Sequence, residues 1–238
     1  FTLAEKPALR VSELMYHPGL PQSVEGESYL DGEDEFIELQ NAGFVPIGLA
    51  GLHVTQGVAF DFTGCAVQTL NPGEFVLVVR DLSAFMMRYP AVPVERIAGT
   101  FTFPSASLDN AGETIEIQDA LGRTVVSFTY NNRWLISTDG AGHSLIPLPG
   151  SAQTDNELDY PGNWKASVYI GGSPGQAEPD ELEPSLVLNE ILAHTDYSTP
   201  PYDSNDGIEL YNASAQPIVL GPGWYLSDDP GNLTKWAI

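Results

Sequence analysis

Short alternations of apolar and polar residues recur along the chain and predict β-strands. Leu9 and Val11 alternate with the polar residues Arg10 and Ser12. Successive side chains of a strand point to opposite faces, so this alternation places the apolar residues on one face. The same spacing of apolar residues recurs in residues 37–39, 45–49 and 58–62. Residues 75–79 are apolar on both faces, which predicts a central strand.

One short helix and one hairpin complete the predicted elements. Asp81 can cap the N-terminus of residues 82–89, and Pro90 ends that helix after about two turns. Residues 115–117 and 126–130 flank a turn-forming segment and predict a β-hairpin. The 23 Gly and 19 Pro residues often form adjacent Pro-Gly pairs between the short apolar runs. Such frequent turn-forming pairs between short apolar runs are typical of an all-β sandwich or barrel.

Two stretches of the sequence occur twice. Residues 9–15 (LRVSELM) match residues 186–192 (LVLNEIL). Residues 37–49 (IELQNAGFVPIGL) match residues 208–220 (IELYNASAQPIVL). The second copy has no sequence counterpart of the central strand, the helix or the hairpin, so it is predicted to be incomplete.

The repeat defines the predicted domain organisation. One β-sandwich domain covers residues 8–176, an acidic Pro-containing linker covers 177–185, and the N-terminal part of a second domain covers 186–238. Half of a sandwich exposes apolar strand faces and unpaired strand edges. We therefore expect either that the chain is a piece of a longer protein or that another chain pairs with the incomplete second domain.

Several segments of the first domain carry a family resemblance. In chain order they are SELMYHP, DEFIELQNAG, LNPGEFVLVVRD with AFMMRYP, SLDNAGETIEIQDALGRTVVSFTY, DGAGHSL, PGNWKAS and GGSPGQ. In their order and spacing they resemble the lamin tail domain family, in its bacterial, secreted branch. The resemblance implies an immunoglobulin-like β-sandwich with one short helix, used as a non-catalytic module in large secreted or cell-surface proteins. It carries no catalytic residue over to this chain.

The charge excludes several classes of partner. The chain has 32 Asp and Glu residues against 9 Lys and Arg, a formal net charge of −23. Nucleic-acid binders gain affinity by neutralising phosphates with Lys and Arg, so we expect no nucleic-acid partner.

No apolar run approaches the roughly 20 residues that a membrane helix needs, and we expect no membrane insertion. The single cysteine, Cys65, excludes an internal disulfide.

The densest acidic stretch lies between the first two predicted strands and is a candidate Ca²⁺ site. Asp31, Asp34 and Glu35 belong to it, and Ca²⁺ takes about six to eight oxygen ligands. No EF-hand spacing is present. The alternative is a solvated acidic loop, which we favour. No cofactor is therefore predicted unless this loop binds Ca²⁺.

A second set of candidate metal ligands combines Glu and His. Glu13 and His17 stand four residues apart near a strand end, as do Glu190 and His194. Glu38 and Glu209 are the candidate third ligands. Side chains alternate faces along a strand, so these groups need not converge. A structural role, such as a carboxylate that accepts hydrogen bonds from backbone N–H groups, explains the repetition equally well, and we favour it.

Asp139, His143 and Ser144 have the residue types of a hydrolase triad. Catalysis requires a defined Ser–His–Asp geometry and an oxyanion hole. The nucleophile-elbow pattern GxSxG is absent from the sequence. We therefore predict no catalytic residues and no enzyme activity.

These observations predict a non-catalytic structural or binding module of a larger secreted or cell-surface bacterial protein. It would act in adhesion or in the spacing of other domains, and a protein or a glycan is the expected kind of partner. The alternative is a carbohydrate-binding module that accompanies a secreted enzyme. Trp134, which follows a polar run and is predicted to be exposed, is the candidate ligand residue, because aromatic rings stack on sugars.

Overall fold

The structure is a computed structural model that describes residues 6–20, 33–102, 107–148, 157–180, 186–193, 206–229 and 232–238. The chain divides into two compact units. The first comprises Phe1–Pro179 and Asp228–Leu233, and the second comprises Asp180–Ser227 and Thr234–Ile238. The division at Pro179 falls inside the segment interpreted above as a linker.

The described part of the first unit contains twelve strands and one α-helix. The strands are β1 (Leu9–Met15), β2 (Phe36–Asn41), β3 (Ile47–Gly48), β4 (His53–Gln56), β5 (Phe60–Asp61), β6 (Thr69–Leu70), β7 (Phe75–Val79), β8 (Ile97–Thr100), β9 (Thr114–Gln118), β10 (Thr124–Thr129), β11 (Leu145–Pro147) and β12 (Trp164–Ala166). The helix α1 covers Leu82–Arg88. Short 3₁₀ helices cover Val94–Arg96, Ile136–Thr138, Glu157–Asp159 and Pro161–Asn163.

Six strands form the first sheet, in the order β12-β11-β1-β2-β7-β8. Neighbouring strands are antiparallel except β7 and β8, which are parallel. A parallel pair needs a crossover connection, and α1 with Val94–Arg96 supplies it. The predicted central strand is confirmed, because β7 lies between two neighbours and four of its five residues are buried.

A second sheet shares one apolar core with the first. Its order is β10-β9-β4-β5, and β3 pairs with β6 in a small separate sheet. Val11, Ile37 and Val78 enter the core from the first sheet, and Ile117 and Phe128 enter it from the second. The predicted hairpin is confirmed as β9–β10. The architecture is β-rich and sandwich-like, in agreement with the alternating pattern.

Helix α1 belongs to a second, smaller apolar cluster on the outer face of the first sheet. Asp81 caps the helix, since its Oδ1 accepts a hydrogen bond from the Ala84 N–H at 2.8 Å. Phe85 is fully buried and meets Phe36 of β2 edge-on, with ring centroids 5.7 Å apart. The predicted helix and its capping residue are thus confirmed.

The strand predicted over residues 45–49 is largely wrong. Only Ile47–Gly48 pairs as a strand, and Val45 is 68% exposed. The Nδ2 of Asn41 donates to the Val45 carbonyl at 2.8 Å and fixes a turn there. Pro46 has no N–H to donate to a neighbouring strand. The side-chain hydrogen bond and the proline together override the apolar alternation.

The described part of the second unit contains four strands. They are β13 (Leu186–Leu192), β14 (Gly207–Asn212), β15 (Tyr225–Leu226) and β16 (Trp236–Ala237). They form two antiparallel pairs, β13-β14 and β15-β16.

The hairpins β1–β2 and β13–β14 pair in the same register. Leu9 lies opposite Asn41, and Leu186 lies opposite Asn212. Both hairpins have a shift of register after the third residue of their first strand. The sequence match between the two blocks therefore extends to their backbone pairing. That the second unit is an incomplete copy of the first domain stays a prediction.

Candidate functional site

The β1–β2 hairpin places two glutamates opposite each other on the outer face of the first sheet. Glu13 is the cross-strand partner of Glu38, and each residue is 1% exposed. In a regular strand, residues 11 and 13 would share a face. The register shift after Val11 lets Val11 and Leu14 both enter the core, so Glu13 points away from it.

Glu13 accepts hydrogen bonds from two separate parts of the chain. The Ser144 hydroxyl, just before β11, donates to the Glu13 Oε1 at 2.5 Å, and the Ser173 N–H donates to the same oxygen at 3.1 Å. Burial raises the pKa of Glu13 to about 7, although these hydrogen bonds act in the opposite direction. The nearby charge of Glu178 also raises this pKa.

Glu38 is held in a similar way. The Ser12 hydroxyl donates to the Glu38 Oε1 at 2.7 Å, and the Gly175 N–H donates to its Oε2. Burial first, and the charge of Glu13 second, raise the pKa of Glu38 well above its usual value, while Arg96 acts to lower it. Because the two carboxyl groups interact, they bind and release protons as a pair.

The glutamate pair fastens residues 171–178, which we call the closing segment, to the first sheet. Glu178 of this segment accepts a hydrogen bond from the Ser173 hydroxyl at 2.6 Å and another from the Val168 N–H, just before the segment, at 2.5 Å. Gly172 has a φ of +75°, and a Cβ on it would overlap the Glu13 Oε1. Glycine therefore allows the segment to approach the pair this closely. The sequence predicts that Glu178 lies in the linker, but its hydrogen bonds make it part of the first unit.

His17 belongs to a different polar cluster. Its Nδ1 lies 2.6 Å from the Asp139 Oδ1, and the Asn132 Nδ2 donates to the Asp139 Oδ2 at 3.1 Å. Glu13 and His17 thus have separate partners, and the structure does not bring them together as metal ligands. The candidate His194 lies outside the described residues.

The residue types of the hydrolase triad do not meet as a triad. The His143 Nδ1 lies 2.8 Å from the Ser167 carbonyl oxygen. Ser144 is fully buried and donates to Glu13, while Asp139 bonds the histidine of the cluster just described. A triad requires the histidine to bridge the serine and the aspartate, and here each of the three has a different partner.

Asp34 and Glu35 do not face solvent as an oxygen-rich loop would. They are 1% and 2% exposed, which corrects the interpretation of this stretch as solvated at these positions. The Arg88 Nε lies 3.3 Å from the Asp34 Oδ2, and the Arg80 Nη1 donates to the Glu35 Oε1 at 2.8 Å. Burial raises the pKa of Glu35 to about 7. The third candidate ligand, Asp31, lies outside the described residues.

Trp134 is half-buried, whereas the sequence predicts an exposed side chain. Its ring packs against the core at a centroid distance of 6.2 Å from the buried Trp164. Only part of the ring is therefore open to a ligand, and sugar binding by Trp134 stays a prediction.

An apolar groove that the sequence pattern does not predict lies between the β2–β3 loop and the β9–β10 turn. Its volume is about 660 Å³. Phe44 and Val45 line one side and are 98% and 68% exposed, and Leu121 on the other side is 70% exposed. Arg123 lies in the same groove and pairs with Asp119 at 2.7 Å. The local sequence does not reveal this surface, because the apolar alternation of residues 45–49 predicts that Val45 lies in a half-buried strand.

A scan against protein-family models and a search of curated proteins found no match for this chain. The resemblance to the lamin tail domain family therefore stays a prediction. Within the residues that the structure describes, no three His, Cys, Asp or Glu side chains are grouped so that they could hold a metal ion. None of the described helices is long and apolar enough to cross a membrane.

Proposed function

We propose that the chain is a non-catalytic structural or binding module of a larger secreted or cell-surface bacterial protein. It mediates adhesion or spaces neighbouring domains, and its first unit is an immunoglobulin-like sandwich of the lamin-tail type. The apolar core shared by two sheets supports this fold assignment. The formal net charge of −23 favours a well-solvated surface and disfavours polyanionic partners.

One observation carries the functional part of the proposal: the candidate acid and base groups Glu13, Glu38 and Asp139 are hydrogen-bonded to other parts of the first unit. Glu13 and Glu38 are almost fully buried beneath the closing segment. Asp139 is bonded to His17 and Asn132. Catalytic acids and bases have to reach a substrate in a cleft. Glu13 and Glu38 are buried and accept hydrogen bonds from backbone N–H groups, which favours a structural role.

The test is a turnover assay on the full chain against ester, glycoside, peptide and phosphate-ester substrates. The variants Glu13→Gln and Asp139→Asn are measured beside it, with circular dichroism to verify that they fold. We expect no turnover above background for any of the three proteins. Turnover by the unmodified chain above background would overturn the proposal, and its loss in a folded variant would identify the residue responsible.

The carbohydrate-binding alternative is favoured by the partly open ring of Trp134 next to the polar residues Asn132 and Arg133. A glycan array probed with the chain and with Trp134→Ala tests it. Trp224→Ala in the second unit, where the side chain is 38% exposed, is the matched control. Glycan binding that only Trp134→Ala removes would establish the alternative, and an array without binding would exclude it for the glycans displayed.

A further inference from the structure

The closing segment has little apolar surface of its own to hold it against the first sheet. Its sequence is GGSPGQAE, and Pro174 is its one buried apolar side chain. A Cβ on Gly171 would lie 3.5 Å from the Tyr89 ring. One on Gly175 would lie 3.4 Å from the Val92 side chain, so the segment packs here through glycine. Because little apolar side-chain surface is buried, the hydrogen bonds to the glutamate pair supply much of the attachment.

Glu178 brings a third carboxylate to Glu13 and Glu38. The Ser173 hydroxyl lies between two of the three, 2.6 Å from the Glu178 Oε2 and 3.5 Å from the Glu13 Oε2. The charge of Glu178 acts on Glu13, and the charge of Glu13 acts on Glu38. Like charges repel each other more strongly at buried positions than in water. The repulsion between Glu13 and Glu178 therefore acts directly between the sheet and the segment.

The other groups that face the pair are mostly uncharged. The neighbouring strand β7 places Leu77 opposite Glu38, and the Ser12 and Ser144 hydroxyls donate to the pair. Arg96, at the end of a 3₁₀ helix, is the cation whose charge acts on Glu38. One guanidinium cannot neutralise three carboxylates. The cluster formed by these described residues therefore keeps a net negative charge when all three carboxylates are ionised.

We propose that the closing segment is a pH-sensitive switch, which stays bonded to the first sheet while Glu13 or Glu38 holds a proton and separates from it when both ionise. The adjacent residues Gly171 and Gly172 serve as the hinge, because glycine adopts many backbone conformations. The Gly171 N–H donates to the Gly142 carbonyl at 2.7 Å, which ties the start of the segment to the fold. The inference concerns a conformational change and does not rest on the proposed function.

The direction of the switch follows from the surroundings of the two glutamates. In the closed form, burial raises the pKa of Glu13 from 4.5 to about 7 and the pKa of Glu38 well above its usual value. In the open form both carboxyl groups reach water, and each pKa returns towards its usual value. The open form therefore binds fewer protons than the closed form, and its population grows as pH rises. Each proton released on opening changes the equilibrium by about tenfold per pH unit.

Opening changes the surface next to helix α1. The closing segment forms one wall of a cavity of about 330 Å³, and residues 88–93 form the other. Tyr89 and Val92 belong to that second wall and to the smaller apolar cluster around α1. Separation of the segment uncovers both side chains, so the switch makes an apolar surface accessible above neutral pH.

The test is amide hydrogen exchange of the full chain at pH 5.5, 6.5 and 7.5, with each rate divided by the intrinsic exchange rate at that pH. We expect the protection of the Ser173 and Gly175 amides to fall at least about tenfold over this range. At pH 7.5 their protection should be at least about tenfold lower than that of Leu77 and Ile117 in the two sheets, because the opening is local. Low concentrations of urea should leave it unchanged, since a local opening exposes little new surface. Protection that does not depend on pH, or that equals that of the sheet amides, would overturn the proposal.

Three variants complete the test. Glu13→Gln keeps a hydrogen-bond acceptor but cannot ionise, so it should remove most of the pH dependence at Ser173 and Gly175. Glu178→Gln removes the repulsion from the segment and should raise the protection of these amides at pH 7.5, which tests the switch even if Glu13→Gln does not fold. The control is Glu190→Gln, at the exposed position of β13 that corresponds to Glu13, and it should leave the exchange unchanged. An unchanged pH dependence in folded Glu13→Gln, or no gain of protection in Glu178→Gln, would overturn the proposal.

Discussion

Glu13 and Glu38 lie directly opposite each other on neighbouring antiparallel strands, and each is 1% exposed. Like charges at such positions are destabilising, and burial adds to the cost of ionising either group. The structure offsets this cost with hydroxyl and N–H donors, and the closing segment supplies three of them: the Ser173 N–H, the Ser173 hydroxyl and the Gly175 N–H. The pair therefore links β1 and β2 to the closing segment.

We expect the stability of the chain to fall as pH rises from about 4.5 to 7. The folded-state pKa of Glu13 is raised to about 7 from 4.5, so the folded protein binds a proton that the unfolded chain has released. Stability therefore decreases through this window, by roughly 3 kcal/mol from this residue. Burial raises the pKa of Glu35 to about 7 as well, with the same sign. Urea denaturation at pH 4.5, 6 and 7.5 measures the slope.

Two variants isolate the contribution of Glu13 to the pH dependence of stability. Glu13→Gln keeps an acceptor for the Ser144 hydroxyl but cannot ionise, so its stability should depend less steeply on pH. Glu95→Gln, on an exposed residue, should keep the slope of the unmodified protein. A Glu13→Gln profile parallel to that of the unmodified protein would show that Glu13 is not protonated in the folded state.

The variant Gly172→Ala should be strongly destabilising. Gly172 has a φ of +75°, and its new Cβ would overlap the Glu13 Oε1 and lie 2.8 Å from the Ser144 Oγ. The control is Gly64→Ala, whose φ is +76° but whose Cβ has no neighbour within 4 Å. The control should lose about 1–2 kcal/mol of unfolding free energy, because alanine is disfavoured in the left-handed backbone conformation. Gly172→Ala should lose at least about 2 kcal/mol more, and equal losses in thermal and urea denaturation would contradict the close approach.

Truncation to alanine should be costly at one phenylalanine and nearly neutral at another. Phe36 is fully buried and meets the rings of Phe85 and Tyr89 edge-on at 5.7 and 5.8 Å. Phe36→Ala should cost about 3–5 kcal/mol of unfolding free energy. Phe44 is 98% exposed, so Phe44→Ala should change it by less than about 0.5 kcal/mol. A large loss from Phe44→Ala would mean that the groove is covered in solution.

Asn41 and Asn212, at matching positions of the repeat, test how burial changes the cost of losing an asparagine side chain. Asn41 is 0% exposed, and its Nδ2 donates to the Val45 and Leu70 carbonyls at 2.8 Å. Asn41→Ala leaves those acceptors without this donor and should cost about 2–3 kcal/mol. Asn212 makes the equivalent bond to the Gln216 carbonyl at 2.8 Å, and this residue is only half-buried. Asn212→Ala should cost less than about 1 kcal/mol, and the same urea titrations compare the two.

Much of the fold can be predicted from local sequence. The alternation of apolar residues identifies the core faces of β1 and β9, and Asp81 and Pro90 delimit α1. The parallel pairing of β7 with β8 could not be predicted, because the residues of β8 have no local signal for orientation. The hydrogen bond from the Ser173 N–H to Glu13 could not be predicted either, because 160 residues separate the two. The repeated Glu at matching positions in both hairpins was the one available signal.

The sequence by itself determined the β-rich character, the short helix, the position of the repeat and the acidic surface, because these depend on spacing and composition. Only the tertiary structure decided the environment of the acidic residues. The same Glu pair is buried under the closing segment in the first unit and exposed in the second. A carboxylate takes its pKa and its role from the groups that surround it, and those groups come from distant parts of the chain.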